Sequence, residues 1–408
     1  MPCLCQECNQ KYDDYWCKPC ISKHFQNDFN NWTSGNDKID KFIQDAQLNA
    51  KDDWEVIEWI PYDRFKDVKQ IGRGGFATIH YARWIDGYIF KWNIENKQWK
   101  RYDENEEVAL KKFDNFANFN DVLNEMKIHL KTQPGLTSIQ FYGITQVPET
   151  LSYMMVLAYA ADGNLQKLIS IILIGIKNIF SMVIIFKFES DLAISDFGLS
   201  KLIEKNSNNL EKKNIFGVLP YIAPEVLSGD EEYTKAADVY SFGIIAYEIV
   251  TGFLPYPDIP HDNDLAMKIC NGLLPKIPFH TPKLITRTIM RCWDARVTHR
   301  PTFEELKKEL WKCHDDFFIH LKEGKNKDSE IVIQIKKAEE ISANQEPTNT
   351  TSTTPLNYQT HPQAIYTSRL LNYSNLPKPK NEKNFERDLE ELTKSMADLC
   401  PSNSDLFI

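Results

Sequence analysis

The 408-residue sequence predicts an α+β protein, and three stretches carry this prediction. The residues that follow the glycine-rich run 71–79 include Ile, Tyr and Trp without a helical period, so the glycines join two strands. Between 118 and 134, apolar residues recur at helical spacing ahead of a Pro-Gly pair, which predicts a helix. The apolar run 153–157 predicts a buried strand.

The composition is that of an intracellular globular protein. Apolar residues make up 42% of the chain and aromatic residues 12%, which suits a packed core. The formal charge of -9 argues against nucleic acid or an anionic membrane as the main partner. No secretory signal opens the sequence, and cysteines crowd its first 20 residues instead. We therefore expect a reducing compartment, namely the cytoplasm.

Two cysteine pairs near the N-terminus predict a zinc site. Cys5 and Cys8 form one C-x-x-C pair, and Cys17 and Cys20 form the next, so that each pair could hold one side of a tetrahedral Zn²⁺. The gap between the pairs is shorter than in the commonest zinc ribbons. Cys3 and His24 are substitute ligands, and the alternative interpretation is a set of free thiols in a frayed terminus. An amphipathic helix follows, and we assign 1–48 to this extension.

The glycine-rich run has the spacing of a phosphate-binding loop. Residues 71–79 fit G-x-G-x-x-G-x-V, with Ala77 in place of the third glycine. The same motif could open a dinucleotide-binding unit, but there a helix would follow, and here a strand does. Glycines let the backbone come close to phosphates, with N–H groups facing the ligand. An aromatic hairpin, 88–102, comes next, and we predict a structural role for it.

A lysine and a glutamate are predicted to form an ion pair. Val108-Ala109-Leu110-Lys111 matches a V-A-x-K strand, and Lys112 must point to the opposite face because strand side chains alternate. Glu125, on the predicted helix, is the natural partner of Lys111; the alternative is that Glu125 is an ordinary exposed helix residue.

A strand and loop between 191 and 225 complete the pattern. Asp196-Phe197-Gly198 follows a short apolar strand, and Ala223-Pro224-Glu225 closes the loop after it. With the glycine-rich run and Lys111, this resembles the protein kinases, in particular the tyrosine-kinase-like group. The resemblance covers about 60–320 and implies a two-lobed kinase fold with a β-rich small lobe and a helical large lobe.

The resemblance also implies roles for individual residues. Lys111 would hold phosphates, Glu125 would orient Lys111, and Asp196 would bind Mg²⁺ under the phosphates of ATP. Leu157 would be the gatekeeper, and the backbone of Ala158 and Ala160 would bond adenine. The ATP-binding residues implied in this way are Ile71, Gly72, Gly74, Gly75, Ala77, Ile79, Ala109, Lys111, Leu157, Ala158 and Ala160.

The segment 168–190 departs from the kinase pattern. Only 32 residues separate Gly163 from Asp196, too few for a long helix and a catalytic loop. Asn178 lies in a K-N-I triplet, but Leu173 stands where the catalytic base would be, so we assign no base. Three interpretations remain open: a membrane helix, a degenerate segment of a pseudokinase, and translated non-coding sequence from a faulty gene model.

The function implied by the family is transfer of the γ-phosphoryl group of ATP to a protein hydroxyl, and we expect the chain as written to be inactive. The alternative is a pseudokinase that acts as a signalling scaffold. Beyond 320 the composition turns polar, and we expect 321–408 to be mostly disordered. One apolar stripe near the C-terminus predicts a short helix with a partner-binding face; its residues are Phe385, Leu389, Leu392, Met396 and Leu399.

Overall fold

A six-stranded sheet is the scaffold of the N-terminal part of the computed structural model. The described residues are 3–12, 16–74, 77–102, 104–113, 119–132, 139–161, 215–230, 233–279, 281–343, 360–373 and 375–397. They form two compact units, which lie on either side of the gap between 161 and 215 and are described separately here.

The N-terminal unit contains ten strands and three helices among its described residues. The strands are β1 (Cys3–Leu4), β2 (Lys11–Tyr12), β3 (Glu58–Trp59), β4 (Phe65–Arg73), β5 (Ala77–Trp84), β6 (Ile89–Asn93), β7 (Gln98–Arg101), β8 (Glu106–Phe113), β9 (Phe141–Gln146) and β10 (Tyr153–Ala158). The helices are α1 (Lys18–Asp28), α2 (Asp37–Asn49) and α3 (Phe119–Thr132).

The main sheet has the strand order β3-β9-β10-β8-β5-β4, and all its pairs are antiparallel except β3 with β9. Alternation of side chains divides the core between the two faces. One face packs against α2 and α3 through residues such as Ile43 and Met126. The other face buries Trp84, Val108 and Leu110. The sheet is therefore held from both sides, which positions strand β8 and its lysine.

Gly143 lets β3, which follows the N-terminal extension, join this sheet. Its φ is +157°, and a Cβ at this position would lie 2.1 Å from the carbonyl oxygen of Glu58 in β3. A side chain there would push β3 off the edge of β9, because backbone atoms cannot yield as a flexible side chain does. The segment that follows the extension therefore continues the sheet.

The C-terminal unit is mainly helical in the part that the structure describes. Its helices are α4 (Pro224–Ser228), α5 (Lys235–Thr251), α6 (Asn263–Cys270), α7 (Lys283–Cys292), α8 (Phe303–Glu323), α9 (Glu330–Ala343) and α10 (Phe385–Ala397). Two short strands, β11 (Ile215–Gly217) and β12 (Arg369–Leu371), pair with each other. The predicted division into a β-rich and a helical lobe is confirmed. Among the described residues, no helix is both long and apolar enough to cross a bilayer.

A glutamate fixes the turn before α4. The hydroxyl of Tyr221 donates to the carboxyl group of Glu248, which lies in α5. Burial raises the pKa of Glu248 to about 7, although the Tyr221 bond opposes the change. Ser241 also donates to the carbonyl oxygen of Tyr221, at 2.7 Å. These two bonds attach the segment that leads into Ala223-Pro224-Glu225 to α5.

The region after 320 differs from the expected disordered tail. Helix α8 continues to Glu323, and α9 buries Ile331, Val332 and Ile335. The expectation for 321–408 is a mostly disordered tail with two short helices in it, and α9 is a helix of this tail: apolar spacing within a charged sequence is enough to pack it against α7. The predicted helix near the C-terminus is present as α10, and Phe385 at its start is buried.

Candidate functional site

Lys111 and Glu125 lie in contact inside the N-terminal unit. Lys111 projects from β8, and its Nζ is 2.5 Å from Oε1 of Glu125 on α3. The two residues are 5% and 4% exposed, so the pair is almost fully removed from water. The ammonium group also lies 5.5 Å from the ring centroid of Phe113, on the same face of β8. Breaking one side of such a pair would leave an uncompensated buried charge.

Strand register places several predicted ATP-binding residues on the face of the sheet that carries Lys111. Lys111 lies opposite Ile79 of β5 and Met155 of β10. Ala109, two residues before Lys111, lies opposite Leu157. Since side chains of directly paired residues share a face, these residues form one continuous surface beside Lys111.

The glycine-rich run forms the turn between β4 and β5, as the sequence predicts. The N–H of Gly74 donates to the carbonyl oxygen of Ala77 at 2.8 Å, and Gly72 pairs with Ile79. A Cβ added at Gly72 would meet nothing within 4 Å, so packing does not require glycine there. Ile71 is exposed beside it. A loop whose glycines are not needed for packing is suited to close approach by a ligand.

At the end of β10, some backbone N–H groups already form hydrogen bonds within the N-terminal unit. The N–H of Ala158 donates to the carbonyl oxygen of Gln140, and that of Tyr159 donates to Glu107. The amide of Ala158 is therefore already used, and only its carbonyl oxygen could take part in adenine binding. Ala160 is exposed, and its N–H has no backbone partner among the described residues. Two predicted site residues, Gly75 and Asp196, and the segment 168–190 lie outside the described residues.

Four cysteine side chains of the extension converge. The Sγ atoms of Cys5, Cys8, Cys17 and Cys20 all lie within 4.8 Å of one another, and the cysteines are free thiols. Two of the separations, Cys5–Cys20 and Cys8–Cys17, are 3.7 and 3.6 Å. Tetrahedral Zn²⁺ with Zn–S bonds of about 2.3 Å requires S···S separations of roughly 3.8 Å. The set therefore fits zinc.

His24 has another role than the predicted substitute ligand. Its Nε2 lies 2.9 Å from a carboxylate oxygen of Glu7, and its ring stacks on Trp92 with centroids 4.0 Å apart. Trp99 packs against Phe25 of α1 at 4.2 Å. Trp92 and Trp99 belong to the β6–β7 hairpin, so the aromatic hairpin joins the cysteine cluster to the rest of the unit. Sequence reasoning missed this contact because it links segments about 70 residues apart.

A second buried ion pair organises the C-terminal unit. Arg300 makes two bonds to Glu225, at 2.6 and 2.7 Å, and a third to the carbonyl oxygen of Asp294 at 2.8 Å. Its guanidinium also lies 5.4 Å from the ring centroid of Tyr240. Both charged side chains are buried. The planar guanidinium matches the carboxylate in two bonds, which a lysine could not do.

Comparison with known proteins finds similarity to the same family that the sequence motifs resemble. Residues 174–310 match a family model described as protein tyrosine and serine/threonine kinase. Over these residues the chain is similar to the protein kinases. The match begins one residue after Leu173, the position where the catalytic base would be expected, and takes in the triplet that contains Asn178.

Relatives of this chain include several classes of kinase. A probable serine/threonine-protein kinase of Dictyostelium discoideum is 24% identical over 67% of the chain and 16% of that protein. The dual specificity protein kinase shkE of the same organism is 35% identical over 30% of the chain and 17% of that protein. The vascular endothelial growth factor receptor kdr-like of Danio rerio is 32% identical over 40% of the chain and 12% of that protein. The chain thus spans less than a fifth of the length of these relatives.

We predict that Lys111 and Glu125 depend on each other for stability. Lys111→Met should destabilise the N-terminal unit by roughly 3–5 kcal/mol, because it removes the ammonium group that pairs with the buried Glu125 carboxylate. The double variant Lys111→Met/Glu125→Gln should cost clearly less than the sum of the single variants. Urea unfolding followed by tryptophan fluorescence is the measurement, since seven of the nine tryptophans lie in this unit. Strictly additive costs would contradict a direct pair.

Proposed function

We propose that the chain binds Mg·ATP through its N-terminal unit and, as written, does not transfer the phosphoryl group. The observation that carries the proposal is the buried contact between Lys111 and Glu125 beside the glycine-rich turn. In protein kinases this ion pair must be in place for the lysine to hold the phosphates.

Each part of the proposed site has one task. N–H groups of the turn around Gly74 would approach the phosphates, and Lys111 would neutralise part of their charge. The apolar residues Ala109 and Leu157 would line the adenine pocket, and the N–H of Ala160 would bond the base. Asp196 would bind Mg²⁺, which compensates the charge of the phosphates. No step of this binding requires a general base.

Transfer would require more than binding. A base that accepts the proton of the substrate hydroxyl contributes typically 10²–10⁴-fold to such reactions. The sequence has no Asp, Glu or His between Asn164 and Phe188, and the residue five before Asn178 is Leu173. The proposal is therefore a nucleotide-binding pseudokinase, and in a chain with a complete catalytic loop the reaction would be transfer from ATP to a protein hydroxyl. The relatives include serine/threonine and dual specificity kinases, so we propose no single acceptor.

The cysteine cluster supports a second, structural proposal. We infer that Cys5, Cys8, Cys17 and Cys20 bind one Zn²⁺, because their sulfur atoms have the separations of a tetrahedral site. Thiolates bound to zinc persist in a reducing compartment, which agrees with the intracellular location that we propose. The metal would hold β1, β2 and α1 together in a segment too short to form a core of its own.

We predict that Mg·ATP raises the melting temperature of the N-terminal unit. A ligand that binds only the folded state at ten times its Kd adds about 1.4 kcal/mol of stability. The double variant Lys111→Met/Glu125→Gln should lose the shift while keeping its fold, because both charged members of the pair are replaced together. Lys112→Met is the matched control: it removes a neighbouring lysine from the opposite face of β8 and should keep the shift. Equal shifts in wild type and double variant would contradict the site.

We predict that purified protein carries about one Zn²⁺ per chain. Cys8→Ser should abolish the metal and lower the melting temperature, because zinc binding contributes directly to folding of such small sites. His24→Gln should retain the metal, since His24 contacts Glu7 and Trp92 instead of the sulfur atoms. Metal analysis of freshly reduced protein is the measurement. A metal-free wild type, or loss of zinc in His24→Gln, would contradict this four-cysteine site.

A further inference from the structure

A cleft of about 620 Å³ lies on the N-terminal unit, between the turn after α1, one face of α2 and the end of β3. Volumes of this size are typical of sites that hold a ligand. Three aromatic residues, Phe29, Trp32 and Trp59, form much of the lining, and the remaining lining residues are Pro61 and polar side chains. None of the lining residues belongs to the proposed ATP site or to the cysteine cluster, so the cleft is a separate feature.

The walls of the cleft are fixed by contacts within the unit. The carboxylate of Asp40, on α2, accepts a hydrogen bond from the N–H of Ser34 at 2.7 Å and another from the hydroxyl of Thr33 at 2.6 Å. Trp59 packs against Tyr153 of β10, with ring centroids 6.3 Å apart. The turn and the strand are thus held by their own contacts, and a preformed site loses little conformational entropy on binding.

Several hydrogen-bonding groups of the cleft are not used by the protein. In the part of the chain that the structure describes, four lining side chains form no hydrogen bond of their own; they are Trp32, Trp59, Asn30 and Gln44. Both tryptophans are only half-buried. Asp40 is the only charged residue among the described lining residues. The cleft therefore offers aromatic rings, unused indole and carboxamide donors, and one negative charge.

These three properties fit a polyproline II segment. Proline has no N–H, and its carbonyl group has no partner within a polyproline II helix, so such a segment offers acceptors to the donors of the cleft. Its rings pack into aromatic-lined grooves, and its stiff backbone loses little entropy when it docks. A β-strand fits less well, because half of its backbone groups are donors, which the indole N–H groups of Trp32 and Trp59 cannot satisfy.

The charge of the surrounding segment favours a basic ligand. Residues 1–60 contain eleven acidic and six basic residues, which gives a net charge of -5 within a chain of net charge -9. Such a segment attracts a positively charged peptide over about one Debye length, roughly 10 Å at 0.1 M salt. Asp40 gives the positive side chain a specific partner, since each carboxylate oxygen can accept more than one hydrogen bond.

We propose that this cleft binds a proline-rich segment of another protein that carries an arginine beside its prolines. The proline rings would lie against Trp32 and Trp59. The carboxamides of Asn30 and Gln44 would donate to carbonyl oxygens of the segment. The arginine would contact Asp40, because a guanidinium group can pair with a carboxylate and also stack on an aromatic ring. Nucleotide binding has no part in this proposal, which uses no residue of the ATP site.

The experiment measures binding of a fluorescent oligoproline peptide, which begins with one arginine, to the full-length protein by fluorescence anisotropy. We expect saturable binding that weakens as the salt concentration is raised. A second peptide keeps the arginine but has alternating glycine and serine in place of the prolines. It should bind roughly tenfold more weakly or worse, because it lacks the rings and the preformed backbone conformation.

Two variants with matched controls locate the binding. Trp32→Leu removes an aromatic wall and should weaken binding by roughly tenfold or more. Trp54→Leu, at an exposed tryptophan outside the lining, should bind as wild type does. Gln44→Lys puts a positive charge in the lining and should also weaken binding. Asn49→Lys puts the same charge on α2 outside the lining and should bind as wild type does.

Each result decides the proposal. Absence of binding to wild type would overturn it, and so would equal affinity in wild type, Trp32→Leu and Gln44→Lys. Equal affinity for the proline peptide and the glycine-serine peptide would show that the cleft holds only a cation, which also overturns it. If Trp32→Leu lowers the melting temperature of the unit, Gln44→Lys with its Asn49→Lys control decides in its place.

Discussion

The buried ion pair between Lys111 and Glu125 is the interaction on which the N-terminal unit depends. Two opposite charges in a nearly dry site are stable only when their geometry is held by the surrounding structure. Here β8 is fixed by β5 and β10 on either side, and α3 packs on the face that carries the lysine. The ammonium group of Lys111 is therefore positioned by the order of the strands, by the packing of α3 and by the neighbouring glycine-rich turn.

The N-terminal extension is part of this scaffold. Strand β3 extends the sheet only because Gly143 has no side chain to block it. Helix α2 contributes Ile39 and Ile43 to the core that also contains Met126 of α3. The cysteine cluster is joined to the unit by the aromatic contacts of Trp92 and Trp99. A change in the cysteine cluster would thus affect the packing of the extension against the hairpin.

The C-terminal unit also contains a buried ion pair, which fixes a turn and the start of a helix. Arg300 and Glu225 form a buried pair that fixes the start of α4, and the Tyr221–Glu248 bond fixes the turn before it. These contacts hold the segment between β11 and α4 in place. Strand β12 pairs with β11 at the start of the same segment.

Short-range patterns made much of this architecture predictable. The glycine-rich turn, strand β8 and helix α3 follow from residue spacing, and the pairing of Lys111 with Glu125 follows from the kinase resemblance. The path of residues 360–373 and 375–397 could not be predicted in this way, because their anchors to the C-terminal unit are mainly backbone groups and a glycine, which leave no periodic signal. His261, which bonds to this segment, and Asn381, which lies in it, look like ordinary polar surface residues in the sequence. The same holds for His24, whose role depends on a hairpin distant in the chain.

The central claim is the proposal that this chain, which is similar to protein kinases over residues 174–310, binds nucleotide without the group that makes transfer fast. Its most direct measurement is transfer of radiolabelled γ-phosphate from ATP to protein under single-turnover conditions, beside the Asp196→Ala variant. The account predicts that wild type and Asp196→Ala show the same background, because without a base Mg²⁺ positioning alone lacks the typical 10²–10⁴-fold assistance. Transfer by wild type that is abolished in Asp196→Ala would contradict it.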